Sequence, residues 1–213
     1  TASAKGEVAL NPKTSLGFSF RAADADYDFD DYDNAASNAA DYVVDADSMS
    51  DLSERAGSFY VNYAAAEGQL NHQLRFDRTT QKAETDSEQF GSFGSDLKTE
   101  VANYRLQAAL DSQPTDKSEQ LVSLLVERRE DKDRDGDGER ENDSVAVEYR
   151  GWLSGNTSVQ AGVRRDDNSE FENETTWNLS GSHFIGPEVS VHASAGRSVV
   201  NPEFFTSSSN PDL

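Results

Sequence analysis

Val145-Ala-Val-Glu-Tyr-Arg-Gly-Trp-Leu-Ser-Gly-Asn-Thr-Ser-Val-Gln-Ala-Gly-Val163 is the stretch that decides the fold. Val145, Val147, Tyr149, Gly151 and Leu153 fall on one side, with Glu148 and Arg150 between them on the other. After Ser154-Gly155-Asn156 the alternation resumes, with Val159, Ala161 and Val163 opposed by Gln160 and Arg164. A period of two is the mark of a strand, and a Gly-Asn break between two such runs predicts a hairpin. Each strand has an apolar side and a charged side, so the fold depends on which solvent each side meets.

Outward from this hairpin the same pattern recurs. Toward the N-terminus it appears in Ala4–Leu10, in Leu16, Phe18 and Phe20, in Phe59, Val61 and Tyr63, and in Leu70, His72, Leu74 and Phe76. It continues in Ala102, Tyr104, Leu106 and Ala108 and in Val122, Leu124 and Val126, then beyond the hairpin in Trp177 and Leu179 and in Val189, Val191, Ala193 and Ala195. That predicts about ten strands and almost no helix. Connections alternate short and long: brief turns at Asn11-Pro12-Lys13 and Glu67-Gly68, but polar segments over residues 24–52, 80–96 and 129–143. Nothing in a soluble sandwich demands that order. In a membrane barrel, antiparallel strands cross with short turns at one rim and long loops at the other. The opposite sides of the strands carry Arg21, Asn62, Arg75, Arg105, Glu127, Glu148, Arg150, Arg164 and Asn178, as a wet lumen would require.

Composition narrows the function. The net charge of −21 and pI near 4.3 set nucleic acid aside as a partner. Cysteine is absent, which removes disulfides, thiolate metal sites and Cys nucleophiles. His72, His183 and His192 are too scattered for a ligand set and read as ordinary strand residues. No apolar run is long enough for a transmembrane helix, though a barrel strand needs only about 9–11 alternating residues. The N-terminus shows no signal peptide and opens directly into a strand, as a piece of something longer would. No serine sits in a Gly-x-Ser-x-Gly elbow and no phosphate-binding glycine loop occurs, so the chain does not read as an enzyme.

Two acidic runs are the candidate metal loops. Asp131, Asp133, Asp135, Asp137 and Glu139 alternate around Gly136 and Gly138 in the manner of a hard-cation loop. Asn142 stands where an EF-hand places its bidentate Glu, and no flanking helices are visible, so the expectation is a looser calcium loop or a solvated one. Asp24, Asp26 and Asp28 open the second run, which continues through Asp30, Asp31 and Asp33 with Tyr27, Phe29 and Tyr32 interleaved. It too reads either as a calcium loop or as an acidic loop with interfacial aromatics at its base.

Several stretches resemble the TonB-dependent outer-membrane receptors, the vitamin B12 (cobalamin) receptor-like branch in particular. They are Val145-Ala-Val-Glu-Tyr-Arg150 with Val159-Gln-Ala-Gly-Val-Arg-Arg-Asp-Asp-Asn168, then Thr175-Thr-Trp-Asn-Leu-Ser180, and then His192-Ala-Ser-Ala-Gly-Arg-Ser-Val-Val-Asn-Pro-Glu-Phe-Phe205 closing with Asn210-Pro-Asp-Leu213. Arg197-Ser-Val-Val after Gly196 departs from the family's commoner Thr/Ser-Gly. The resemblance implies a 22-strand barrel, plugged by an N-terminal domain and driven by the TonB system, in a Gram-negative outer membrane. Residues 1–213 would be a fragment of that barrel, an all-β, partial antiparallel transmembrane β-barrel lacking the plug and the terminal strands. Its implied partners are outer-membrane lipid, a small ligand such as cobalamin or a siderophore, and the TonB complex through the plug. No cofactor is required, and calcium in the outer loops is the one ion the acidic runs could hold, against the reading of plain solvated loops. A passive porin-like barrel and a secreted calcium-binding all-β protein are the competing readings.

Overall fold

The computed structural model describes residues 1–33, 37–38, 42–136 and 138–200. It is one ten-stranded antiparallel sheet in which every strand pairs with its sequence neighbours, from β1 to β10 in order. The strands are β1 (Ala2–Asn11), β2 (Thr14–Tyr32), β3 (Val43–Ala65), β4 (Leu70–Ser87), β5 (Gly91–Ala109), β6 (Gln120–Asp133), β7 (Glu139–Ser154), β8 (Thr157–Asn168), β9 (Glu174–Phe184) and β10 (Ser190–Arg197). Among the described residues the only helical turn is the 3-10 segment Ala66–Gly68, where Ala66, Glu67 and Gly68 all take positive φ to reverse the chain.

No second layer covers either side. Leu121 is the only buried hydrophobic residue among those described. One face is crowded and half-buried, the mark of the concave side of a curled sheet, and the other stands open. The open, convex face carries the apolar alternation. Register lines up Thr14, Tyr63, His72, Leu106, Leu124, Val147, Val163 and Trp177 across eight strands. The next row holds Leu16, Val61, Leu74, Tyr104, Val126 and Val145. Leu74 is 60% exposed and Phe18 51%. A water-soluble sandwich or barrel would pack these side chains inward, so this is the arrangement of a barrel wall with its apolar side turned outward.

The long polar segments expected as loops are mostly strand. β2 continues to Tyr32 and β3 resumes at Val43; β4 and β5 are separated only by residues 88–90, and β6 and β7 by residues 134–138. The asymmetry between the two rims therefore lies in strand length rather than in loop length. Backbone pairing continues past the apolar band because the ladder joins N–H to C=O whatever the side chains are. The longest connection on the short-turn side, residues 110–119, is longer than the turn between β4 and β5.

Candidate functional site

The concave face is a continuous polar wall. One register row reads Glu7, Gly17, Tyr60, Arg75, Asn103, Glu127, Ser144, Asp166 and Glu174. Gly17 makes room here for the Tyr60 ring, which crosses where a Cβ would stand and whose hydroxyl donates to Glu7 at 3.0 Å. Polar side chains bridge adjacent strands, as in Gln73 Nε2 donating to Asn62 Oδ1 at 2.9 Å and Gln160 Nε2 to Glu148 Oε2 at 3.0 Å. Such ladders satisfy the wall while leaving its inner surface hydrophilic.

Three arginines on this face are each neutralised by an aspartate two residues on, which the strand period places on the same side. Arg75 grips Asp77 at 2.7–2.9 Å, and Arg129 grips Asp131 at 3.0–3.1 Å. Arg164 holds Asp166 while also reaching Glu127 at 3.1 Å and Ser144 at 2.7 Å. Further out, Ala23, Ala25, Leu52, Ala83 and Leu97 make an apolar hollow of about 420 Å3, edged by Glu54 and Gln81. The dimensions suit a small ligand.

At the outward rim a buried carboxylate ties two hairpins together. Asp31 is 3% exposed and accepts from Ser48 Oγ at 2.7 Å, Ser87 Oγ at 3.1 Å and the Gln89 amide at 3.2 Å. Ser48 belongs to β3, Ser87 ends β4 and Gln89 lies in the turn to β5, so one side chain fastens the tips of β2–β3 and β4–β5. Tyr32 stacks on Tyr42 at 5.6 Å and meets Phe90 at 5.7 Å beside this clasp. Asp31 was visible in the acidic run, but its partners lie 17 and 56 residues away, and nothing local marks them.

The expected calcium residues are not drawn around common centres. Asp24, Asp26 and Asp28 lie along the convex face of β2, where successive same-side residues are about 7 Å apart, too far to share an ion with oxygens at about 2.4 Å without a bend. Asp24 pairs with Arg55 at 2.7 Å, and Asp26 lies directly across from Asp51. Asp131 is on the concave side of β6, held by Arg129, by Thr99 at 2.6 Å and by Arg140 at 3.0 Å. Burial alone would raise its pKa, yet these hydrogen bonds outweigh burial and hold the carboxyl below its usual range. Glu139 lies on the other face, paired with Lys132 at 2.9 Å. Asp133 Oδ1 accepts the Asp135 amide at 3.1 Å, and Asp137 lies outside the described residues. Oxygens of Glu130, Glu139 and Glu141 come within 4.8 Å of one another, but Lys132 bridges the first two and Arg128 holds the third at 2.6 Å.

The comparisons agree with this geometry. Among solved structures the fold is similar to the siderophore receptor PirA from Pseudomonas aeruginosa, with a TM-score of 0.68 and 16% sequence identity, covering 94% of this chain and 33% of that one. This chain thus spans about a third of that receptor, and at such identity the likeness is one of fold alone. No curated protein matches the chain in sequence. Of the stretches that carried the family resemblance, residues 201–213 lie outside the described residues. The family described as TonB dependent receptor-like, beta-barrel, matches residues 3–213. The chain belongs to the TonB-dependent receptors and is a partial antiparallel barrel of that family.

Proposed function

We propose that this segment is part of the wall of an outer-membrane receptor that takes up a scarce nutrient under the drive of TonB, which would act through a plug domain elsewhere in the protein. The observation that carries the reading is the two-faced sheet: apolar side chains from Leu16 to Val145 face outward along one register row, and a hydrogen-bonded polar wall faces inward. The ligand class we favour is a metal chelate. Cobalamin fits the sequence resemblance and a ferric siderophore fits the likeness to a siderophore receptor, so the two are rival ligands for the same receptor. In this reading the wall residues bind and guide the ligand.

The deciding experiment is a binding panel on the full-length protein in detergent, with ferric siderophores of catecholate and hydroxamate type beside cobalamin. One compound should bind tightly and be accumulated by cells only when TonB is intact. Uptake that persists without TonB would overturn the reading. Calcium between Asp26 of the acidic run and Asp51, which stands directly across from it, is a further part of the proposal, supported by the meeting of like charges there. A chelator should lower the thermal midpoint of the wild-type protein more than that of Asp26→Asn.

A further inference from the structure

The convex face does not fade gradually from apolar to polar. On β4, β6 and β8 the last apolar residue is followed, at the next position on the same side, by an arginine: Phe76 by Arg78, Val126 by Arg128, Val163 by Arg165. On β3 the corresponding cation is Arg55, beyond Phe59 and Gly57. Four guanidinium groups thus stand within about 7–14 Å, along their strands, of the edge of the apolar band. Their side chains are about half exposed, at 43% for Arg55, 52% for Arg78, 54% for Arg128 and 50% for Arg165.

Each is steered by its neighbours with donors to spare: Arg55 donates to Asp24 and to the Ala23 and Glu54 carbonyls, and Arg165 to Asp167, the Asn173 carbonyl and Thr175. Arg78 touches Glu100 through one nitrogen at 3.4 Å, and Arg128 meets Glu141 at 2.6 Å and Asp143 at 3.7 Å. A guanidinium has five N–H donors, so several remain for a second acceptor. Further out on the same face the charges are mixed: Asp26, Asp51, Glu84 and Asp86 share it with Lys82, Lys98 and Lys132, each lysine paired with a glutamate. The four arginines are the cations of this face that stand nearest the apolar band, immediately above the hydrocarbon.

We infer that Arg55, Arg78, Arg128 and Arg165 form a girdle that binds the phosphate groups of anionic lipid in the outer leaflet. Arginine suits phosphate because its planar fork meets two oxygens at once, and the girdle's height is that of the headgroups rather than of bulk water. The inference rests on the reading that the convex band meets lipid.

The test uses the full-length protein in neutral detergent, titrated with a diphosphorylated glycolipid of the lipid A type, with the same glycolipid stripped of phosphate, and with inorganic phosphate. Bound lipid is counted by native mass spectrometry. Wild type should retain the phosphorylated lipid, Arg78→Gln/Arg128→Gln should bind it roughly tenfold or more weakly, and Arg78→Lys/Arg128→Lys should fall between. Heat-dependent gel mobility identifies variants that have kept the barrel, and Arg55→Gln/Arg165→Gln supplies an independent pair. Equal retention by wild type and a folded Gln pair overturns the girdle. So does equal binding of phosphorylated and stripped lipid, or inorganic phosphate binding as tightly as the lipid. If the wild type stays in solution without detergent, it is the membrane reading itself that fails.

Discussion

The two halves of β2 share a backbone and differ in almost everything else. From Thr14 to Ala22 the convex side carries Leu16, Phe18 and Phe20; from Asp24 onward the same side carries Asp24, Asp26 and Asp28. Pairing with β3 runs through both halves, interrupted only by the irregularity between Phe29 and Asp31. The backbone ladder is thus indifferent to the solvent, and side chains alone record where hydrocarbon ends. The near half is held by its surroundings, since its apolar surface has no protein cover. The far half is held by itself, through Asp31 and through ion pairs such as Arg55 with Asp24.

The largest effect should come from moving a charge across that line. Leu74→Arg places a guanidinium in the central apolar row and should cost about 2–4 kcal/mol of folding stability in lipid vesicles, read by urea titration. Thr80→Arg, on the same side of the same strand but beyond Arg78, should change stability by less than about 0.5 kcal/mol. Equal costs at the two positions would erase the distinction between the halves.

Next comes the clasp. Asp31→Ala leaves the hydroxyls of Ser48 and Ser87 without their acceptor and the Gln89 amide with Ser87 Oγ alone, and should cost the outer hairpins about 1–3 kcal/mol of local stability. Hydrogen exchange should speed up at Gln89 and Phe90 while amides around Leu74 keep their protection. If exchange rises in both halves together, they are one cooperative unit and not two.

These halves were not equally open to reading from sequence. In the near half, apolar and polar residues alternate with strong contrast, so strands such as Leu70–Phe76 could be placed, with their facing, from period alone. In the far half the alternation is Asp with Ala, or Ser with Met, which offers no contrast and so resembles a loop. The Arg-x-Asp pairs at 75–77, 129–131 and 164–166 were on view as spacings, and Arg75, Arg164 and Glu127 were already placed on the lumen side. What no spacing could supply was register. Ser87 reaches Asp31, and Arg140 reaches Asp131, only because particular rungs of the ladder coincide. The same ignorance of register made Asp131 look like a partner for Glu139, although the two sit on opposite faces.

Acid should act on the far half and spare the near one. With its pKa held below the ordinary value, Asp131 lends β6–β7 a stability that is complete above about pH 4 and lost as the pH falls below that. Exchange at the amides around Arg140, corrected for intrinsic rates, should therefore be flat from pH 7 to 5 and rise at pH 3. Asp131→Asn should remove that pH dependence.

The smallest effect has the opposite sign and comes from the neighbouring hairpin. Desolvation, the facing Asp26 charge, a hydrogen bond with that carboxyl and Glu84 all push the Asp51 carboxyl above its ordinary pKa. A carboxyl whose folded pKa is raised favours the folded state in its protonated form. Its contribution is complete below the ordinary carboxylate value and lost as pH rises through the elevated one. Between neutrality and about pH 4, β2–β3 should tighten slightly while β6–β7 is unchanged, a split that exchange at Asp26 and Asp51 against Arg140 would display. Calcium added at neutral pH should mimic this acid effect if it screens the same repulsion, and Asp51→Asn should abolish both responses. Calcium tightening that survives Asp51→Asn would place the ion elsewhere and leave the Asp26–Asp51 contact a matter of protons alone.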